Sequence, residues 1–232
     1  MVGRVVVGLG FMALIAATPV AGAPPKSLAA YCKVPSANGD VIRFGRLTGA
    51  VIGGGTVGIV LANTSDGHMC DWVLNDSALM TDFAKKGYRV FLFEYRGRTE
   101  AAQARDTAAA AAELRTLGSR TIVLGGASIG GVTTLEAATT LQPAPAAIFG
   151  FSSSTDNPAA ATAAVRRLRL PLLFVAGERD PYASSTKALY SSAASKDKQL
   201  ILVPGMTHGF FDLDPSARKI DAAVIAFIAK HA

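Results

Sequence analysis

Cysteine is nearly absent: the chain of 232 residues has two, Cys32 and Cys70, together with one Trp and three His. So few thiols and imidazoles leave little from which to build a metal centre, and the one grouping, His68 with Cys70, is too short of ligands for a zinc site. No metal and no organic cofactor is expected. Charged residues are also sparse, at 17%, and the net charge of +6 comes from scattered positive residues with no run longer than Arg166-Arg167, with Arg169 nearby. That pattern reads as a solvated basic surface, which excludes the dense stripe of a nucleic-acid binder. Internal repeats, low-complexity tails and interdomain linkers are missing too, and the Ala108 to Ala112 tract is a good helix former.

Long hydrophobic runs are lacking except at the start. There Met1-Val-Gly-Arg4 precedes an uncharged run from Val5 to Ala17, then Pro19 and the small-residue tripeptide Ala21-Gly-Ala23. This is the pattern of a signal peptide, with cleavage expected after Ala23. Its apolar core is shorter than the roughly 20 residues of a spanning helix. No Cys follows the small residues directly, so neither stable membrane insertion nor a lipid anchor is expected after cleavage. Residues 24–232 then have the length of one domain, exported to the periplasm or the exterior. That oxidising compartment favours a Cys32 to Cys70 disulfide.

From about Val41, short apolar runs alternate with longer stretches of helical spacing. The predicted strands are Val41 to Leu47, Val57 to Ala62, Arg89 to Tyr95, Arg120 to Gly125, Ala146 to Phe151, Pro171 to Ala176 and Gln199 to Val203. The predicted helices are Asp71 to Lys86, Ala101 to Leu117, Ile129 to Leu141, Asn157 to Leu168, Tyr182 to Ala194 and Pro215 to Ala229. Inner runs such as Ile122 to Leu124 and Leu172 to Val175 are continuously apolar, as strands covered on both faces are. The expected class is α/β, a mostly parallel sheet with helices on both faces. A hairpin around Thr48-Gly49 and Gly53-Gly-Gly55 would make the first strands antiparallel.

Gly126-Ala-Ser128-Ile-Gly130 closes one apolar run and opens a helix. A Gly-x-Ser-x-Gly in that place is a sharp strand-to-helix turn that exposes the serine hydroxyl at a helix N-terminus, where free N–H groups favour developing negative charge. As a bland alternative, Ser128 would only cap the helix. A serine nucleophile needs a base, and in this layout the partners follow in the chain order Ser, Asp or Glu, His. Two histidines follow Ser128, and His231 lies at the C-terminus, which leaves His208, directly after the last predicted strand. Loops at strand C-termini are where sites of open parallel sheets gather. The acid is expected to be Asp180, in Gly177-Glu178-Arg179-Asp180-Pro181, with a helix-capping role as its alternative and Glu178 and Asp156 as competitors. The oxyanion donors are expected to be the N–H of Ile129 and that of Thr64 or Asn63, Thr64 preferred. His68 and Trp72 lie near this loop, His68 either reaching a substrate or solvated, Trp72 either flooring a pocket or filling the core.

These segments resemble the α/β-hydrolase superfamily over essentially the whole chain after the leader. The resemblance rests on the turn at Ser128, Gly-Glu-Arg-Asp180, Gly-Met-Thr-His208-Gly-Phe210, and Phe93-Glu94-Tyr-Arg-Gly97, which looks like the family's Asp-Tyr-Arg-Gly turn. It implies that Glu94 and Arg96 tie down loops near the site. Ala62-Asn63-Thr64 stands where many members have His-Gly before the oxyanion donor. The Ser152 to Asn157 loop leaves no room for the inserted lid of larger lipases, so the site is expected to be open. The region around His208 is similar to dienelactone hydrolases, which use Cys where this chain has Ser128. The chemistry implied is acyl transfer from a small-molecule carboxylic ester. A thioesterase or peptidase on the same residues, a silent ligand-binding member of the fold, and a basic wall-binding protein stand as alternatives.

Overall fold

A computed structural model describes residues 27–232; the expected signal peptide, residues 1–23, lies outside the described residues. The chain runs α1 (Leu28–Cys32), β1 (Asp40–Phe44), β2 (Leu47–Ile52), β3 (Val57–Ala62), α2 (Cys70–Asn75), α3 (Ser77–Lys85), β4 (Arg89–Phe93) and α4 (Glu100–Thr116). It continues β5 (Thr121–Ala127), α5 (Ile129–Ala138), β6 (Ala147–Phe151), α6 (Pro158–Arg167), β7 (Leu172–Gly177), α7 (Ala183–Ser192), β8 (Lys198–Val203) and α8 (Ala217–His231). The strands form one sheet of eight in the order β1-β2-β4-β3-β5-β6-β7-β8. β2 is antiparallel to both β1 and β4, and every other pair is parallel.

The apolar patterns explain the layers. β5, β6 and β7 are buried at nearly every position because helices cover both faces. On one face α2, α3 and α8 pack Trp72, Phe83, Ile220 and Phe227 against Phe149 and Phe151. On the other, α4 to α7 bring Ala110, Leu114, Val132, Leu135 and Leu189 onto Val60, Leu124 and Phe174. The alanines of α4 let it lie close to the sheet where bulkier residues would hold it off. No described helix is long and apolar enough to cross a membrane.

Three local features differ from the sequence reading. The opening turn falls at Gly45-Arg46 and not beyond Thr48: Gly45 takes φ +53°, so the predicted strand Val41 to Leu47 is cut, and Leu47–Ile52 is its own strand. The predicted helix Asp71 to Lys86 breaks at Asp76, whose backbone (φ −147°, ψ 41°) is not helical. A short helix, α1, forms where none was predicted, with the Ser27 side chain accepting from Ala30 N.

The expected disulfide is present between Cys32 and Cys70, with Cα atoms 5.3 Å apart across a sequence separation of 38 residues. It pins the end of α1 to the start of α2, beside the loop that follows β3. Closing a loop of that length constrains the unfolded chain by about 4 kcal/mol. Cys32→Ser/Cys70→Ser is therefore expected to unfold at markedly lower urea concentration. Equal midpoints for the variant and the oxidised protein would remove this role.

Candidate active site

The Ser128 turn is set by its neighbours. β5 ends at Ala127 and α5 begins at Ile129, so the whole reversal falls on Ser128, at φ 56° and ψ −122°. A side-chain-bearing residue resists that conformation, and it persists because the surroundings hold it. Ser128 N donates to Phe151 O on β6 (2.8 Å) and Gly131 N donates to Ser128 O (3.0 Å). Glycine is required on both sides: a Cβ at Gly126 would run into the Gly130 carbonyl, and one at Gly130 into the carbonyls of Ala62 and Asn63. The N–H of Ile129, the first residue of α5, has no acceptor within the helix.

Asp180 and His208 arrive from the C-terminal ends of β7 and β8. His208 Nε2 lies 2.9 Å from Ser128 Oγ, and His208 Nδ1 lies 2.9 Å and 3.0 Å from the two Asp180 carboxylate oxygens. The Asp180 side chain is fully buried while that of His208 keeps 30% of its surface exposed. Asp180 also accepts the N–H of Tyr182 (2.8 Å), which closes the turn ahead of α7, but it does not cap that helix, whose N-cap is Tyr182 with no side-chain cap hydrogen bond. With Nδ1–H given to Asp180, the Nε2 lone pair faces the Ser128 hydroxyl. The Tyr182 ring packs on the imidazole at 4.9 Å between centroids and steadies its plane. Glu178 is exposed and apart from the histidine, and Asp156 instead lines the cavity described below.

The two oxyanion candidates on the β3 side differ in setting. Asn63 is fully buried; its Nδ2 donates to Phe93 O at 2.6 Å and its carbonyl accepts from the Tyr95 hydroxyl at 3.3 Å. Burial pushes the Tyr95 phenol far up, so it stays a donor. Asn63 thus braces the loop, while Thr64, the next residue, is partly exposed and reaches toward Gly209 beside His208. Glu94 ties loops as expected, accepting from Met69 N (3.3 Å) and Tyr31 Oη (3.4 Å) and facing His68 Nδ1 at 3.4 Å. Arg96 does so through its backbone, whose N–H donates to Asp106 (2.9 Å). The His68 side chain is 75% exposed, and Trp72 is wholly buried, edge-on to Phe210 at 5.0 Å. Trp72 is core.

The surroundings of Ser128 are lopsided. Beside Ile129, on the β3 and β4 side, opens a cavity of about 620 Å³ walled by Asp66, His68, Glu94, Arg98 and Glu100. On the His208 side a second hollow, of about 320 Å³, has Leu74, Phe210 and Leu213 in its wall. Among the described residues no group of three or more His, Cys, Asp or Glu is placed to hold a metal ion.

Sequence reasoning missed one neighbour. Ser154 Oγ lies 3.0 Å from Ser128 Oγ. The Ser152-Ser-Ser154 run after β6 was its only signal, because nothing in the linear pattern says which serine turns toward β5.

No family model matches the sequence, and no curated protein matches it. Solved structures do. A dienelactone hydrolase from Anabaena variabilis is 18% identical over 82% of this chain and 95% of its own, with a TM-score of 0.69. Est1E from Butyrivibrio proteoclasticus is 17% identical over 83% and 98%, at 0.68. A structure from the work on LipS and LipT, two metagenome-derived lipolytic enzymes, is 18% identical over 79% and 97%, at 0.67. At such identities the likeness is one of fold. With its eight-stranded, mostly parallel sheet, helices on both faces and a short connection where a lid would be inserted, this chain has the α/β-hydrolase fold.

Proposed function

We propose that this protein is an exported serine hydrolase that cleaves carboxylic esters through an acyl-enzyme on Ser128. The observation that carries the reading is the hydrogen-bonded line from Ser128 Oγ through His208 to the buried Asp180. In the first step Ser128 Oγ attacks the ester carbonyl, its proton passing to His208 Nε2 and on to the departing alcohol. Asp180 stabilises the imidazolium, and the N–H groups of Ile129 and Thr64 take the oxyanion, with that of Asn63 as the other candidate. In the second step water loses its proton to His208, attacks the acyl carbon, and Ser128 regains its hydroxyl.

Residues 24–232 form one catalytic domain in this reading, with 1–23 removed on export. The Cys32–Cys70 bridge supports an oxidising compartment. The likeness in fold to a lipolytic enzyme and to a dienelactone hydrolase adds weight to ester chemistry. The cavity beside Ile129 is lined largely by charged and polar groups, which give a long alkyl chain little apolar wall to bury against.

Two measurements test the reading. A fluorophosphonate probe is expected to add its mass to the Ser128 peptide and to no other, and labelling elsewhere would displace Ser128. Across p-nitrophenyl esters, kcat/KM is expected to be highest for acetate to butyrate and about tenfold lower by decanoate. A steady rise to decanoate would refute the short-acyl assignment.

A further inference from the structure

The reaction centre contains a hydroxyl that the three-residue line does not use. Ser128 has one proton, and His208 Nε2, 2.9 Å away, takes it. Ser154 Oγ, at 3.0 Å from the same oxygen, must then be the donor in its contact with Ser128. Its backbone N–H also donates to Ser128 O, at 3.3 Å.

The loop that carries Ser154 is fixed at each residue. Ser152 takes φ +48°, uncommon for a residue with a side chain, and its N–H donates to Val175 O on β7 at 2.7 Å. Ser153 fills the space left by two glycines: a Cβ at Gly131 or at Gly150 would strike its hydroxyl. Thr186 Oγ1 donates to the Ser153 carbonyl at 3.0 Å. Beyond Ser154, Thr155 Oγ1 donates to Glu100 Oε2 at 2.8 Å, with Asp156 N on the same oxygen at 3.3 Å. Neighbours on β7, α5, α7 and α4 thus hold a loop whose one partly exposed hydroxyl at the site faces the nucleophile.

We infer that Ser154 is a positioning residue for Ser128: its hydroxyl donates to Ser128 Oγ, fixing the nucleophile on the line to His208 and stabilising the charge that builds on Oγ as its proton leaves. The inference rests on the proposed role of Ser128. In acylation the Oγ–carbon bond forms, the Ser128 proton moves to His208, and Ser154 keeps its own proton throughout. Once acylated, Oγ is the bridging oxygen of an ester and a poor acceptor, so the Ser154 contact is lost before deacylation. Ser154 therefore assists acylation, in which Oγ is the attacking atom, and does little for the attack of water on the acyl-enzyme, acting again only as the carbon–Oγ bond breaks.

Stopped-flow hydrolysis of p-nitrophenyl butyrate by the full mature protein separates the steps, because the nitrophenol burst reports acylation and the steady phase deacylation. Ser154→Ala is expected to lower the burst rate and kcat/KM about tenfold, to leave deacylation within about twofold, and to keep the wild-type Tm. Ser154→Thr, which retains a hydroxyl, is expected to recover most of the loss. An unchanged burst rate in Ser154→Ala overturns the inference. So does an equal fall in both phases that Thr does not rescue, since that is the mark of a loop with only a structural role. If wild-type protein gives no nitrophenol and Ser128 is not labelled by a fluorophosphonate, the reading of the site fails and this inference falls with it.

Discussion

Ser128→Ala is expected to lower kcat for p-nitrophenyl butyrate by about 10,000-fold or more, and His208→Ala by a similar factor. The double variant is expected to be no worse than either single one. A nucleophile and its base act as a unit, so removing the second member of a broken pair costs little. The geometry requires that coupling, because one proton spans the 2.9 Å between Ser128 Oγ and His208 Nε2. Asp180→Asn keeps the shape but offers His208 an amide in place of a carboxylate, which unsettles the tautomer. A fall of about 10,000-fold is expected there. Additive losses in the double variant, or a Ser128→Ala protein with wild-type rates, would show that ester cleavage runs elsewhere or not at all. Removing Ser128 takes away the only hydroxyl on the histidine line, and Ser154, which donates to it, cannot take its place as nucleophile without its own base.

The second large effect is on stability and lies at Asp76, where α2 gives way to α3. The residue is 1% exposed, and its Oδ2 has no hydrogen-bond partner. Burial, then the charges of Asp221 and Asp212, push it up to about 8 from 3.8, against the pull of a Phe211 N–H. The sign follows from which state holds the proton. Between pH 4 and pH 8 the folded protein keeps a proton that the unfolded chain has released, so stability falls as pH rises through that window and levels off above it. Asp76→Asn carries no such proton. It is expected to match the wild type near pH 4 and to exceed it by on the order of 5 kcal/mol at pH 9. Urea midpoints at the two pH values decide it: parallel pH profiles for variant and wild type would mean that Asp76 is ionised in the folded protein. Asp212, four residues after His208, accepts from Ser77 N (3.1 Å) and Oγ (2.8 Å). Nearby, Arg218 bridges Asp82 (3.2 Å) and Asp221 (3.1 Å) and offsets part of this crowding of carboxylates.

Much of the fold could be read along the chain. A short run such as Leu172 to Val175, between Pro171 and Gly177, reads as a doubly covered strand, and alternation with helical spacing then implies a parallel sheet, since each crossover helix returns the chain to the end where the previous strand began. The turn at Ser128 was equally legible, because the glycines that permit it, Gly126 and Gly130, lie within five residues of sequence. Chain order and the position of loops after strands pointed to Asp180 and His208 without any knowledge of distances. Boundaries read less well. Gly45 was a better turn residue than Thr48-Gly49, yet apolar residues on both sides of it hid the hairpin. The stretch Asp71 to Lys86 kept helical spacing straight through Asp76, whose side chain lies buried near Phe211, Asp212 and Asp221, contacts that no local pattern reveals.

Those misses share a cause. Patterns of period two or near four, and turns made by adjacent residues, are local properties that the sequence alone determined here: the layers, the strand and helix order, the Ser128 turn, and which acid and histidine lie on site-facing loops. Contacts between residues far apart in sequence depend on strand order and on the depth at which each loop packs. Only the tertiary structure decided that Ser154 faces Ser128 from 26 residues further along the chain, that Asn63 braces a loop through Phe93, and that Asp76 loses its water. Each of these was fixed by which elements the sheet sets side by side, a property that no single segment carries.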